Sequence, residues 1–149
     1  GNYTQIFKHD RVLYAGDPVA DYLDDPYYST DPTQRANVSA TWTKNRWSST
    51  LYANWMGETP NYAASLSSRG YDNANAGKLD DWTTYNASVS YQVFDGLDLS
   101  FLVNNLTNEM PPFDGSYPGT STSPYNEYNY NVYGRSMYIE LRYAFGAGK

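Results

Sequence analysis

His9 is the only histidine of the chain and cysteine is absent, so one imidazole has no second histidine or thiolate with which to share a metal, and cysteine nucleophiles and disulfide scaffolds are excluded. Acid–base chemistry would have to come from carboxylates. The densest groups are the adjacent pairs Asp24-Asp25 and Asp80-Asp81 and the cluster Asp21, Asp24, Asp25 and Asp31. Two carboxylates converging from separate loops suit glycoside hydrolysis, and clustered oxygen ligands suit calcium. No stretch has EF-hand spacing, however, and these aspartates fall among turn residues, where solvated roles are the rule. A Gly-x-Ser-x-Gly elbow, a phosphate-cradling glycine loop and a His-x-x-x-His pair are all missing. The sequence therefore reads as a non-enzyme, with no cofactor and no resident metal.

Binding chemistry is better represented. There are 17 Tyr and 4 Trp against 5 Phe, a bias toward rings that are apolar in the body and polar at the tip. Tyr27, Tyr28, Tyr62, Tyr71, Tyr117 and Tyr125, with Tyr128 and Tyr130, lie in segments rich in Asn, a mixture of stacking faces and amides able to grip a small molecule, a saccharide or a peptide. For any single tyrosine, packing of loop against loop is the better account. Nucleic acid is not an expected partner: the net charge is −6, and the 10 Lys and Arg are scattered instead of forming a basic stripe.

The elements that must carry these loops are strands. From Ser136 to Phe145 every odd position (Met137, Ile139, Leu141, Tyr143, Phe145) is large and apolar or aromatic, opposite Ser136, Glu140 and Arg142. Ala36, Val38, Ala40 and Trp42 alternate with Asn37, Ser39, Thr41 and Thr43; after a turn at Lys44-Asn45, Trp47, Ser49, Leu51, Ala53 and Trp55 return. Tyr85, Ala87, Val89, Tyr91 and Val93 then alternate with polar residues up to a Phe94-Asp95-Gly96 turn, and Leu97, Leu99, Phe101 and Val103 return. The expected strands are 1–13, 34–43, 46–56, 82–93, 97–105 and 134–145. The connections 14–33, 57–81 and 106–133 far exceed the roughly 4–6 residues usual in compact domains, so short turns occupy one end and long loops the other.

No run reaches the roughly 18 apolar residues of a spanning helix. A chain that crosses lipid without such helices does so as a closed β-barrel, and short turns at one end with long loops at the other are the habit of outer-membrane barrels. Trp47 and Trp55 lie eight positions apart on one face. At about 3.4 Å per residue and a tilt of about 40° that spans about 20 Å of the membrane normal, close to an apolar band of about 25 Å. Trp42, Trp47 and Tyr91, with Phe94, Tyr143 and Phe145, are expected as an aromatic girdle at the turn end, and Trp55 and Trp82 as one at the loop end. The opposite face, with Asn86, Ser88, Ser90, Asp98, Ser100, Asn104, Glu140 and Arg142, would line the lumen. A secreted carbohydrate-binding β-sandwich is the soluble alternative; it would bury the apolar face against a second sheet.

The segment Tyr85-Asn86-Ala87-Ser88-Val89-Ser90-Tyr91, with Leu97 to Pro112 through Val103-Asn104-Asn105-Leu106-Thr107-Asn108, closely resembles the end of TonB-dependent outer-membrane receptors, and Gly134 to Phe145 resembles their last strand. Leu106-Thr107 stands where that family usually has Leu-Phe, and Gly146-Ala147-Gly148-Lys149 runs past the terminal aromatic. The resemblance implies an all-β fold: the C-terminal antiparallel strands of a transmembrane barrel of about 22 strands. The N-terminal plug and the TonB box are not in this sequence, so the chain is expected to be the C-terminal part of a longer polypeptide. Its opening residues carry no signal peptide, which for an exported protein also places the true start upstream. The implied activity is TonB-energised uptake of a scarce nutrient across the outer membrane of a Gram-negative cell, with a passive porin as the alternative. The implied partners are the rest of the barrel and its plug, the TonB complex reached through that plug, outer-membrane lipid, and the barrel-assembly machinery, which would read Ile139, Leu141, Tyr143 and Phe145 as a C-terminal signal.

Overall fold

The computed structural model describes residues 1–23, 25–66, 70–119 and 124–145. Among these residues ten strands occur in chain order: β1 Asn2–Gln5, β2 Asp10–Arg11, β3 Ala20–Asp21, β4 Gln34–Lys44, β5 Trp47–Met56, β6 Thr59–Pro60, β7 Lys78–Leu79, β8 Trp82–Phe94, β9 Leu97–Asn104 and β10 Ser136–Tyr143. One four-residue helix, α1 (Tyr62–Ser65), and a 3-10 turn at Gly70–Asp72 interrupt them. The chain is all-β in substance: a single antiparallel sheet in the order β1-β4-β5-β8-β9-β10, plus the two-stranded ribbons β2-β3 and β6-β7. The large sheet does not close, and β1 and β10 are its two edges.

Alternation of side chains fixes the register. Ala40 pairs with Leu51, Leu51 with Ala87, Ala87 with Val103 and Val103 with Met137, so one apolar row crosses five strands. The next row toward the turns runs Trp42, Ser49, Val89, Phe101 and Ile139, and the next Lys44, Trp47, Tyr91, Leu99 and Leu141. A slip of one residue anywhere would turn a strand's apolar set to the other face. The two tight turns differ slightly from expectation. Lys44 still pairs with Trp47, leaving Asn45-Arg46 as a two-residue loop, with Asn45 at φ 53. Asparagine tolerates this left-handed conformation better than other side-chain-bearing residues. In the second turn Gly96 takes φ 92, and a bulge between Gln92 and Phe94 shifts the parity so that Phe94, not Val93, pairs with Leu97 on the apolar face.

Residues 1–13 do not form the single strand expected. Only Asn2–Gln5 joins the sheet, against Gln34–Asn37; the chain then leaves to make the β2-β3 ribbon over the loop end. The expected loops 57–81 and 14–33 likewise contain short strands, and 57–81 the helix as well.

Where a core exists it lies between the loops and the loop end of the sheet's polar side, and not on the apolar face. Met56, Leu79 and Tyr130 form a buried cluster with Trp82 packed on it, and Thr59, Ala63, Ala64 and Asp114 are buried nearby in the chain. The apolar face of the sheet, by contrast, is bare: Ile139 is 76% exposed, Leu141 67%, Leu99 42% and Val89 39%. Val103, flanked by Ala87 and Met137, is the buried exception on that face. None of the described helices is long and apolar enough to cross a membrane.

Candidate functional site

Three surfaces come out of this arrangement: the bare apolar face, the polar face behind it, and the loop cap at one end. On the apolar face the turn end carries a belt of rings. Trp47 and Tyr91 are direct cross-strand partners with centroids 4.5 Å apart, Phe94 meets Tyr143 edge-on at 6.3 Å, and Tyr143 meets Phe145 at 4.5 Å. Trp42 belongs to the same end. The expected signal residues Ile139, Leu141, Tyr143 and Phe145 are all exposed on or beside edge strand β10. At the loop end Trp55 is on this face and donates from its indole nitrogen to Asp81 at 2.7 Å.

Trp82 is not where it was expected. The register pairs it with Met56, while Trp55 pairs with Thr83, so Trp82 lies on the opposite, polar face and packs edge-on against Tyr130 at 5.5 Å. Parity gives the reason: in β8 the odd residues Thr83, Tyr85, Ala87 and Val89 make the apolar face, and an even-numbered tryptophan cannot share it. Its place beside Trp55 goes to Tyr3, which pairs with Ala36 and is exposed. Tyr3 was invisible as a girdle residue because nothing in residues 1–5 fixes a register without the pairing to β4.

The polar face gathers the expected lumen residues. Thr41 and Thr50 share a hydrogen bond of 3.0 Å across β4 and β5, and Ser90 and Ser100 one of 2.8 Å across β8 and β9. Toward the turn end Ser88, Ser90, Asp98, Ser100, Leu102, Glu140 and Arg142 line a recess of about 310 Å³. Arg142 bridges Glu140 at 3.3 Å within β10, and Asp98 is its direct cross-strand neighbour. Exposed pairs of this kind contribute about 0–1 kcal/mol.

The loop tyrosines fall into separate groups instead of one site. Tyr28 stacks on Tyr22 at 5.0 Å, Tyr27 meets Tyr28 edge-on at 5.2 Å, and His9 lies 5.2 Å from Tyr22, with the Arg11 guanidinium 5.9 Å over the same ring. Tyr62 meets Tyr117 at 5.3 Å, Tyr125 meets Phe113 at 6.4 Å, and Tyr71 is exposed. Of the expected acidic cluster, Asp21 and Asp25 turn their carboxylates onto nearby backbone amides, of Leu23 and Tyr27, as local turn caps. Asp24 lies outside the described residues, as do Gly146 to Lys149. No group of three His, Asp or Glu able to hold a metal occurs among the described residues.

Sequence reading missed what holds the cap. Asp114, 1% exposed, accepts from the Tyr62 amide at 2.8 Å and from the amide and hydroxyl of Ser116 at 2.9 and 2.6 Å; the Ser116 hydroxyl accepts in turn from the Ala63 amide at 3.0 Å. Asn61 caps α1 through the Ala64 amide and also accepts from the Gly77 amide. Thr59, with no exposed surface, shares a hydrogen bond of 2.8 Å with the Tyr130 hydroxyl, and Asn129 donates to the Thr30 carbonyl, so all three long loops are tied together. Burial pushes the Tyr130 phenol above its usual range; nearby Asp114 adds to this and the Thr59 bond works against it.

The motif at the end of β9 is also a piece of backbone engineering. Asn105 takes φ 50, donates to the Glu109 carbonyl and accepts from the Glu109 amide, while its own amide donates to the Asn86 side chain. Asn108 at φ 57 accepts from the Arg135 amide, and Arg135 donates to the Leu106 carbonyl at 3.3 Å. A Cβ on Gly134 would come within 2.9 Å of the Asn108 side-chain oxygen, and Gly134 itself takes φ 68. Both ends of the last long loop are thus pinned at one point.

A chain with one ring-edged greasy face, one hydroxyl- and amide-lined face and a packed cap at one end defines an all-β class of structure built on one large open sheet. Comparison with models of known protein families, with characterised proteins and with solved structures gives no match to this chain.

Proposed function

We propose that the chain forms barrel wall and outer loops, the C-terminal part, of a TonB-dependent transporter in the outer membrane of a Gram-negative bacterium. The observation that carries the reading is the bare apolar face. Val89, Leu99, Phe101, Ile139 and Leu141 are exposed together in aligned rows, with no second sheet or helix of the described chain upon them. In water such a face is strongly unfavourable, at roughly 25 cal/mol for each Å²; hydrocarbon removes that penalty. The ring belt at the turn end and Trp55 with Tyr3 at the loop end suit the two lipid–water boundaries. The open edges β1 and β10 suit pairing with further strands, because unpaired edges are not tolerated in lipid.

The function that follows is capture and gated passage. The cap and the polar face receive a scarce nutrient, a plug supplied by the rest of the polypeptide completes the site, and TonB pulling on that plug opens a path along the hydroxyl- and amide-lined wall. The β-sandwich alternative loses ground because the face it needs covered is uncovered.

Deleting Phe145 from the full-length protein is the direct test of the assembly signal. Less folded barrel in the outer membrane, with ligand preference unchanged in the remainder, is the expected result, and undiminished insertion would count against the signal. Uptake that persists at full rate in cells lacking TonB would point to a passive porin.

A further inference from the structure

Beneath the loop cap, on the polar face, Arg35, Asn37, Asn54, Trp82, Thr84 and Asn129 line a recess of about 260 Å³, near the lower end of small-ligand sites at about 300 Å³. The register explains the convergence: Arg35 pairs with Met56 and Met56 with Trp82, while Asn37 pairs with Asn54 and Asn54 with Thr84, so two adjacent cross-strand rows point the same way. Asn129 roofs the recess from the last long loop and is held there by the Thr30 carbonyl at 2.8 Å.

Two features of this recess are left over from folding. Arg35 is exposed, and no ion pair or hydrogen bond of its side chain occurs among the described residues. Asp31 lines a second recess that Arg35 also borders, but it stands beyond ion-pair distance. Trp82 carries the one buried side-chain nitrogen or oxygen among the described residues that lacks a hydrogen-bond partner. That nitrogen has almost no exposed surface and does not open onto the recess, so Trp82 offers a ligand its ring and not its N–H.

The chemistry of the lining selects a ligand class. A guanidinium offers parallel N–H groups that match a carboxylate or phosphate two to two. The amides of Asn37, Asn54 and Asn129 and the Thr84 hydroxyl each both donate and accept, which is what a hydroxyl-bearing ring requires. Trp82 adds an apolar wall. We propose that this recess is a binding subsite for a sugar unit bearing an oxyanion, with Arg35 reading the charge and the asparagines and Thr84 reading the hydroxyls. That the bound unit is transported cargo rests on the transporter reading; that it binds does not.

The test uses the full-length polypeptide in detergent and follows tryptophan fluorescence while titrating glucuronate, glucose 6-phosphate and glucose. At least tenfold tighter binding of one anionic sugar than of glucose is expected, and which of the two wins tells carboxylate from phosphate. Arg35→Gln should abolish the preference while leaving glucose unchanged, Arg35→Lys should restore part of it, and Asn54→Ala should weaken all three sugars alike. Equal affinity for the three sugars, no binding at all, or a preference that survives Arg35→Gln would overturn the assignment. Protease protection of the same preparation after reconstitution into lipid vesicles reports on the membrane reading separately, so either can fail while the other stands.

Discussion

The sheet and the loop cap solve the problem of burial in opposite ways. In the cap, Met56, Leu79, Tyr130 and Trp82 bury one another, and Thr59, Asp114 and Asn61 satisfy their neighbours' polar groups. In the sheet the inner strands find their backbone partners within the ladder, yet the side chains of Val89, Leu99, Ile139 and Leu141 have only their cross-strand neighbours beside them and stay exposed on the open face. The loops pack on a core that the ends of β5 and β8 help to build through Met56 and Trp82, while the apolar face of the same strands depends on surroundings. The cap is therefore expected to respond to changes in its internal hydrogen bonds, and the sheet to changes in whatever covers it.

Ile139→Arg is expected to separate the two most widely. On a lipid-covered face it costs roughly 2–4 kcal/mol near the bilayer midplane, read as a loss of folded protein in urea titrations of vesicle-reconstituted, full-length protein. An unchanged midpoint would show that hydrocarbon does not cover that row. Next in size is Asp114→Ala, which strips acceptors from the Tyr62 amide and from Ser116 at about 1–3 kcal/mol for each buried donor left bare. Hydrogen exchange should quicken across residues 57–66 and stay unchanged in β8 and β9; equal acceleration in both would dissolve the distinction.

Tyr130→Phe removes the partner of buried Thr59 and is expected to cost about 1 kcal/mol, confined to the cap. The same residue gives the cap an alkaline limit. Because folding raises the phenol's pKa, the folded state holds that proton more tightly, so the contribution is fully present below the free tyrosine value of about 10 and is lost as pH rises through the folded value. Protection of the cap amides, taken relative to the base-catalysed rate of an unstructured chain, should therefore fall above about pH 10, and Tyr130→Phe should remove Tyr130's share of that fall. Smallest is Glu140→Gln, which breaks an exposed bridge and should shift the unfolding midpoint by less than about 1 kcal/mol.

The contrast also separates what the amino-acid order discloses from what it conceals. Period-two alternation states a face directly, so the turns at Asn45-Arg46 and Asp95-Gly96 and the two faces of β4, β5, β8, β9 and β10 could be read along the chain. The same rule, applied strictly, would have moved Trp82 to the polar side. The bulge at Val93 was hidden because an inserted residue leaves no mark in composition, and Tyr3 because its face depends on a partner strand. The cap was opaque for a stronger reason. Its contacts join Thr59 to Tyr130, Tyr62 to Asp114 and Thr30 to Asn129, positions 71, 52 and 99 residues apart with no periodicity between them. The same opacity hid Arg35, an ordinary strand residue until the loop above it is in place.

The pinning of Asn108 to Arg135 has a consequence for how this chain can vary. A connection whose two ends meet at a hydrogen-bonded knot pays its closure entropy largely inside itself, and that entropy grows only slowly with length. Provided Asp114, Ser116, Asn129 and Tyr130 keep their places in the cap, the stretch between Glu109 and Gly134 can accordingly change in length with little pull on the alignment of Ser136 with Asn104. The wall becomes a fixed frame whose register is indifferent to the length of the excursion above it.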